Sequence, residues 1–569
     1  MTGRARPARP SRDPKARPGA RSTGLALEPL RPAAAAALLA WSLLLLLAPP
    51  ASNGFWAVNG LRSLPTQPAL AVLGAALASA LPALLCWRGR WRLLAIPLAL
   101  TLSFALREHT HFLGDTHLRI RALSVAGVTL DASSFASLTA RLHAAPLDLA
   151  VNVMMPLLLE SFGMPVLSAV SCVSAVLACL YFAGIWRATG FLAVALENRL
   201  ALAWALALTG TLEALAGYPE SGGLMAVTAI WWGAEMLAPL DRPRQALRLS
   251  LALLAALLSH RLALALLAPH LWRLLRATVA GDRAPVRRPA LVLAAAALAL
   301  AVAVSILSGA AGRLHGDLED LFDTLRAGGW RGAAPSDIAN TLALVAPLAI
   351  LAPVLAGGAT VAAFLRQPAA QWIAIAAAPL LAALVWLFPL GQEGLGALRD
   401  WDANILLGSI LVIAAGAFLA PLPAATLRTV LAATTPVLAL GALGWVAANA
   451  NPETVTRRAI VLAVEPSTLT PPQQSAVFAW LGQRAMDQRR PDLAAPRYEQ
   501  AFALNPNPRL SVLAAEAWLL SGDLSGARRS LAAARARSLT PELTREVEQL
   551  EAGVARAAGD SAAAAPAYR

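Results

Sequence analysis

The chain predicts an all-α fold: a polytopic bundle of transmembrane helices followed by a small helical domain. Three observations carry this. Of 569 residues, 57% are hydrophobic and only 14% charged, against about 25% charged in a soluble protein. Apolar runs of about 20 residues recur, long enough to cross the hydrocarbon core of a bilayer. After Ala450 those runs stop, and acids, Gln and Pro return with helical periodicity. The reading divides the chain into a basic tail (1–32), a membrane domain (33–449) and a C-terminal helical domain (450–569).

The tail is rich in Arg and Pro and almost free of acid. It is too long and polar for the n-region of a cleaved signal, so it reads as a disordered cytoplasmic segment. Eleven to thirteen spans follow. Their candidate positions are 32–50, 68–87, 91–106, 163–185, 200–215, 224–240, 249–259, 262–275, 289–307, 341–365, 372–388, 404–420 and 429–447. The two around Ser259-His260-Arg261 are short enough to form a hairpin that does not cross. One set of loops is basic: 88–92, 241–248 and 276–288. The alternate loops, at 107–146, 217–221, 308–340 and 389–403, hold most of the acids. Positive charge stays inside, so the N-terminus is expected in the cytoplasm and the acidic loops and C-terminal domain outside. The Ala, Leu and Arg content suggests a bacterial chain, hence an inner membrane with a periplasmic C-terminal domain.

The net charge of +14 does not indicate nucleic acid, because the arginines sit between apolar runs as loop charges do. Cys86, Cys172 and Cys179 lie in or beside apolar runs without C-x-x-C spacing, so no disulfide framework or thiolate metal site is implied. No phosphate-binding G-x-x-x-x-G-K-[ST] occurs.

Polar chemistry concentrates in L-R-E-H-T-H-F-L-G-D-T-H-L-R-I-R, at 106–121, directly after an apolar run. Ionisable groups at that depth are expensive and tend to line a cavity or pathway. Arg107, Arg119 and Arg121 suit phosphate oxygens. Asp115, with Glu108 nearby, suits proton abstraction from an acceptor hydroxyl. The same arginines also suit lipid headgroups at an interfacial helix. His109 and His111 would need a third ligand, such as Glu108 or Asp115, to hold a metal. Other outward segments add Tyr218 and Glu220 in G-Y-P-E-S-G, the pair His260 and Arg261, and Arg399, Asp400 and Asp402 in R-D-W-D. Two acids at i, i+2 can share a divalent ion with phosphate. Trp401 between them reads as an interfacial anchor.

In the C-terminal domain, Phe478, Leu481, Gly482, Ala494, Tyr498, Ala501 and Pro506 fall at tetratricopeptide-repeat spacing. Trp518, Gly522, Ala527, Leu531 and Ala534 follow as a second copy, and 541–557 can cap the stack. The resemblance spans about a hundred residues. It implies a docking surface for a protein or peptide, or a simple cap on the membrane domain.

The G-D step in the first large outward loop, the Y-P-E turn, the His-Arg hairpin and the late R-D-W-D loop together resemble the GT-C superfamily of polytopic glycosyltransferases. Its members include protein O-mannosyltransferases and lipid A aminoarabinose transferases. The likeness covers roughly 91–447. It implies transfer of a sugar from a polyprenyl-phosphate donor on the outer face, with Asp115 as base and Arg119, Arg121, His260 and Arg261 on the phosphate. Two other classes stay open: a transporter or flippase of a lipid-linked or anionic solute, and an envelope-assembly scaffold working through its repeats.

Overall fold

The computed structural model describes residues 28–49, 53–85, 92–110, 112–113, 119–120, 123, 145–192, 194–240, 243–279, 334–387, 396–464 and 469–559. Among these residues the chain is helical, with no strand. The membrane part runs through α1 (Pro32–Leu47), α2 (Thr66–Ala78), α3 (Arg92–Leu100), α4 (Met155–Ser161), α5 (Val166–Phe191), α6 (Leu196–Ala207) and α7 (Ser221–Leu237). It continues with α8 (Pro243–Ser259), α9 (Leu267–Val279), α10 (Pro335–Val345), α11 (Pro347–Ala356), α12 (Gly358–Leu365), α13 (Pro368–Ala382), α14 (Ile405–Leu419) and α15 (Ala424–Ala450). Then come α16 (Pro452–Val464), α17 (Pro471–Asp487), α18 (Pro491–Leu504), α19 (Pro508–Ser521), α20 (Leu524–Arg535) and α21 (Pro541–Ala557).

Helices α7, α14 and α15 form the centre. They are rich in Ala and Gly, and small residues let helices approach closely where lipid gives no hydrophobic drive to associate. A Cβ on Gly184 of α5 would lie 2.8 Å from Ile230 of α7, and one on Gly233 of α7 would lie 3.0 Å from Ile413 of α14. The periphery is apolar and open. Leu39 and Leu70 are each 61% exposed and Val176 is 60% exposed. Exposed apolar side chains on successive helices are what a bilayer would cover.

Among the described residues, five helices are long and apolar enough to cross a membrane: Thr66–Leu84, Val166–Phe191, Pro368–Trp386, Trp401–Leu419 and Ala424–Ala450. A sixth is possible if α10 and α11 form one span bent by 81°. Eleven to thirteen spans are expected of the whole chain; within the described residues several of those apolar runs are short or broken. The expected span at 341–365 breaks at Ala346 and again at Gly357. Pro347 disfavours helical backbone at Ala346, and Gly357 adopts a left-handed φ of 82° that suits glycine. The run at 91–106 stays helical through Pro97 and ends in a π-turn, Thr101–Ala105, as one of the shorter apolar helices. The run at 200–215 stops at Ala207, where the Thr209 side chain accepts from Thr211 N and opens a short 3₁₀ turn, Gly210–Leu215. At 259–261 the chain does form the expected break: His260 Nδ1 accepts from Leu262 N at 3.1 Å and starts a new turn. The expected span at 289–307 lies outside the described residues.

Helices α17 to α21 stack as successive hairpins. Gly482 sits under the Tyr498 ring, where a Cβ would meet Cε1 at 2.8 Å, and Gly526 sits equally close to the Trp518 ring. Ala494, Ala501, Ala527 and Ala534 are fully buried. Gly522 ends α19 in the left-handed conformation, a common helix stop. This unit is not detached from the membrane part. Phe478, Trp480 and Leu481 of α17 belong to the same continuous apolar core as α15.

Gly60 supplies a test of the central packing. A Cβ there would lie 2.7 Å from the Gly444 carbonyl oxygen, whereas one on Gly74 would meet nothing within 4 Å. Gly60→Ala is expected to cost about 1–3 kcal/mol through forced backbone shifts, read as a lower Tm in detergent. Gly74→Ala is the control expected to leave Tm in place; equal behaviour of the two variants would contradict the close crossing.

Candidate functional site

Two buried polar clusters form around the loops that join the helices. The first is built on residues 107–113, which follow the π-turn of α3. The Glu108 side chain folds back on its own loop. Its Oε1 accepts from Phe112 N at 2.5 Å, Thr110 Oγ1 at 3.1 Å and Leu113 N at 3.3 Å. Its Oε2 is buried and meets no donor among the described residues. Burial pushes the carboxyl up to about 7, against the pull of those donors and of Arg399. Arg399 donates from Nε to Phe112 O at 2.9 Å and stands 5.1 Å from the Phe112 ring centroid.

Glu213, on the 3₁₀ turn after α6, lies in the same cluster. It is fully buried. Neither carboxylate oxygen meets a donor at hydrogen-bonding geometry among the described residues. Burial first, and then the charge of Glu108, hold this carboxyl well above its ordinary range, although the Asn449 amide and Arg458 pull it back. Arg458 donates to Asn449 Oδ1 at 3.1 Å and to Trp56 O at 2.9 Å, and lies over the Trp445 ring at 5.0 Å. The two turns are held together nearby. Ser103 Oγ donates to Leu215 O at 2.9 Å. Gly217, with φ of 75°, passes so close to Arg107 that a Cβ would sit 2.8 Å from the arginine Cβ.

The second cluster centres on Arg119. Its Nη2 pairs with Asp148 Oδ2 at 3.0 Å, and its Nη1 donates to Pro219 O at 3.2 Å. Asn152 completes the ring, donating to Asp148 Oδ1 at 2.7 Å and to Glu220 O at 3.1 Å. Burial opposes the guanidinium charge, but Asp148, Glu220 and Tyr218 more than offset it, so the net direction is upward. His260 shares this field. Burial, then Arg261, lower its imidazole to about 4, so it is a neutral hydrogen-bonding group at neutral pH.

The expected residues therefore divide. Arg119, Tyr218, Glu220 and His260 come together, with the exposed Arg261 adjoining His260 in the chain. Glu108 and Arg399 come together in the other cluster, and Asp402 packs behind the Tyr218–Glu220 turn, 3.3 Å from where a Cβ on Gly222 would lie. Asp402 is buried and Asp400 half-buried at the start of the turn Trp401–Asn404. Arg107 is half-buried. His109 is exposed; partial burial, then Arg107, lower its imidazole. Asp115, His111 and Arg121 lie outside the described residues. Among the described residues no group of three or more His, Cys, Asp or Glu gathers to hold a metal ion. Trp401 is not an interfacial anchor: it is fully buried and packs on Trp445 at 6.1 Å, because the turn that carries it folds inward.

The sequence reading missed Glu213, Asp148, Asn152, Asn449 and Arg458. A signal existed for three of them. Glu213 is a lone acid inside the apolar run 200–215, and such acids mark function by default. Asp148 and Asn152 stand four apart, on one face of a helix. Arg458 and Asn449 had none, since only the close of α15 and α16 on the turn of Glu213 makes them relevant.

Two outcomes are expected from unfolding in detergent. Breaking the buried pair with Arg119→Met should cost about 3–5 kcal/mol, and adding Asp148→Leu should recover much of it; no loss from the single variant would contradict the pairing. For Glu108 the folded carboxyl is raised from 4.5 to about 7. A raised acid favours the protonated fold, so its contribution is full below about 4.5 and is lost as pH rises through about 7. Glu108→Gln, which stays neutral, should flatten the fall in Tm across that window; an unchanged pH profile would contradict the assignment.

No family model, no curated protein and no solved structure matches this chain.

Proposed function

We propose that this chain is a membrane glycosyltransferase that moves a sugar from a polyprenyl-phosphate donor to an acceptor hydroxyl on the outer face of a bacterial inner membrane. The observation that supports it is Glu108: one oxygen locked by three donors, the other buried and open, with a carboxyl near 7 beside the cation Arg399. That is the balance a general base needs at neutral pH. In this reading Glu108 Oε2 takes the acceptor proton and the acceptor oxygen bonds to the anomeric carbon. The sugar–phosphate bond breaks, and the lipid phosphate leaves with its electron pair. Arg399 and the exposed Arg261 stabilise the charge that develops on it. Burial raises the Glu213 carboxyl, which favours its neutral form beside the base.

Arg119 is assigned a different part from the one expected. Its guanidinium is already used on Asp148 and Pro219, so it fixes the Tyr218–Glu220 turn rather than holding phosphate. Asp115 remains a candidate base close in sequence to Leu113. The helical unit from α17 onward is proposed to be tetratricopeptide-like, with a protein or peptide as its partner, and to face the periplasm as the basic inner loops suggest.

One observation favours a second reading. The break of 81° between α10 and α11 is of the kind found in transporters with discontinuous helices. A transporter would move a labelled polyprenyl-phosphate lipid across vesicle walls without releasing sugar.

The deciding experiment is sugar release from a panel of labelled polyprenyl-phosphate sugars by detergent-purified protein. Wild type should turn over, and Glu108→Gln should lose roughly 10²–10⁴-fold in kcat while remaining folded. Full activity in Glu108→Gln with collapse in Asp115→Asn would transfer the base to Asp115. Lipid transport without sugar release in wild type would replace the transferase reading.

A further inference from the structure

The C-terminal helical unit touches the Glu108 loop through one large side chain. Trp480 of α17 donates from Nε1 to Thr110 O at 3.2 Å. Its ring packs edge-on against Phe112, with centroids 4.6 Å apart. Thr110 and Phe112 are two of the three residues whose donors hold Glu108 Oε1. Phe112 is gripped from the other side by Arg399, through both its carbonyl and its ring. The residue that orders the carboxylate is thus clamped between the soluble unit and the membrane part.

Trp480 is itself well fixed. It is 6% exposed. Arg484, four residues along the same helix, lies 5.9 Å from its ring and donates to Thr456 Oγ1 at 2.8 Å. That ties α17 to α16, the helix whose Arg458 reaches the cluster of Glu213. Helices α16 and α17 therefore each reach one of the two carboxylates.

We infer that Trp480 is a positioning residue for Glu108, so that the C-terminal helical unit is a built-in part of the site and not only a docking module. The role in turnover rests on the reading of Glu108 as the proton-accepting group; the positioning itself does not. The indole fills the seam and keeps water from the carboxyl. It also holds Thr110 and Phe112 where their donors meet Oε1, which leaves Oε2 facing inward. Among the described residues the charged groups coupled to Glu108 are Arg399 from the late loop and Glu213, with Arg458 behind it, while Arg107 and His109 adjoin it in the chain. None of these is altered by changing Trp480, so a change in the carboxyl reports the seam.

The experiment is an infrared pH titration of the full-length protein in lipid nanodiscs. The protonated-carboxyl band of Glu108 is assigned by its loss in Glu108→Gln. Trp480→Ala admits water, relieving the burial that dominates the raised carboxyl, so its midpoint should fall from about 7 towards the usual carboxylate range. Trp480→Phe keeps the ring against Phe112 but lacks the N–H, and should fall between the two. In turnover, kcat should drop roughly tenfold or more with little change in KM, and the acid limb of the pH profile should move down with the infrared midpoint. Identical midpoints in wild type and both variants would overturn the inference, whatever the turnover. If Trp480→Ala does not fold, Trp480→Phe alone decides. A wild type that releases no sugar overturns the transferase reading instead, and the infrared midpoints still decide the role of Trp480.

Discussion

Glu108 closes on the backbone of its own loop, and that end of the bundle is arranged around the closure. A buried carboxylate is costly unless donors meet it. Here the donors are the amides of Phe112 and Leu113 and the Thr110 hydroxyl, all within five residues. The loop therefore carries its own neutralising shell, and that shell is what Trp480 and Arg399 grip. If the carboxylate were solvated, Phe112 would have no reason to sit where both can reach it. The remaining oxygen is left over because a tight loop can present its donors to only one side of the group.

The second cluster shows the opposite solution to the same constraint. Arg119 and Asp148 are paired, and Asn152 satisfies what remains. A buried pair with good geometry roughly offsets its own desolvation, so it is a poor candidate for chemistry and a good one for holding parts together. It joins the Tyr218–Glu220 turn to the helical turns Pro146–Asp148 and Leu149–Met154 that lead into α4, while Gly217 lets that turn pass against Arg107. The two clusters thus share a turn but differ in role: one is satisfied and fixes the scaffold, the other keeps unsatisfied carboxylate oxygens.

Breaks in the helices make room for both. Pro347, Gly357 and the Thr209 cap stop apolar runs that would otherwise continue. Three short 3₁₀ turns, Gly210–Leu215, Arg261–Leu266 and Trp401–Asn404, lie at such interruptions, and each carries or adjoins a polar residue of the clusters. Freed backbone groups at these ends are what the buried side chains of Thr209 and His260 answer.

By itself, the sequence determined that the chain is helical and lipid-facing, since hydropathy and run length depend only on local composition. It also placed Glu108, Arg399, Tyr218, Glu220 and His260 among the candidates, because charges beside apolar runs are visible without knowing the fold. It marked the change of character after Ala450, where α15 ends and α16 begins. It could not count the spans, because a run of apolar residues reads the same whether it crosses straight or breaks at a proline. Nor could it pair Glu108 with Glu213, Arg119 with Asp148, or Trp480 with Thr110. Those contacts join residues between 29 and 370 positions apart, and such distances are closed only by packing. Burial was decided there too: Trp401 and Glu213 are interior because the turns that carry them fold inward, and a side chain's charge state follows from the water it loses when they do.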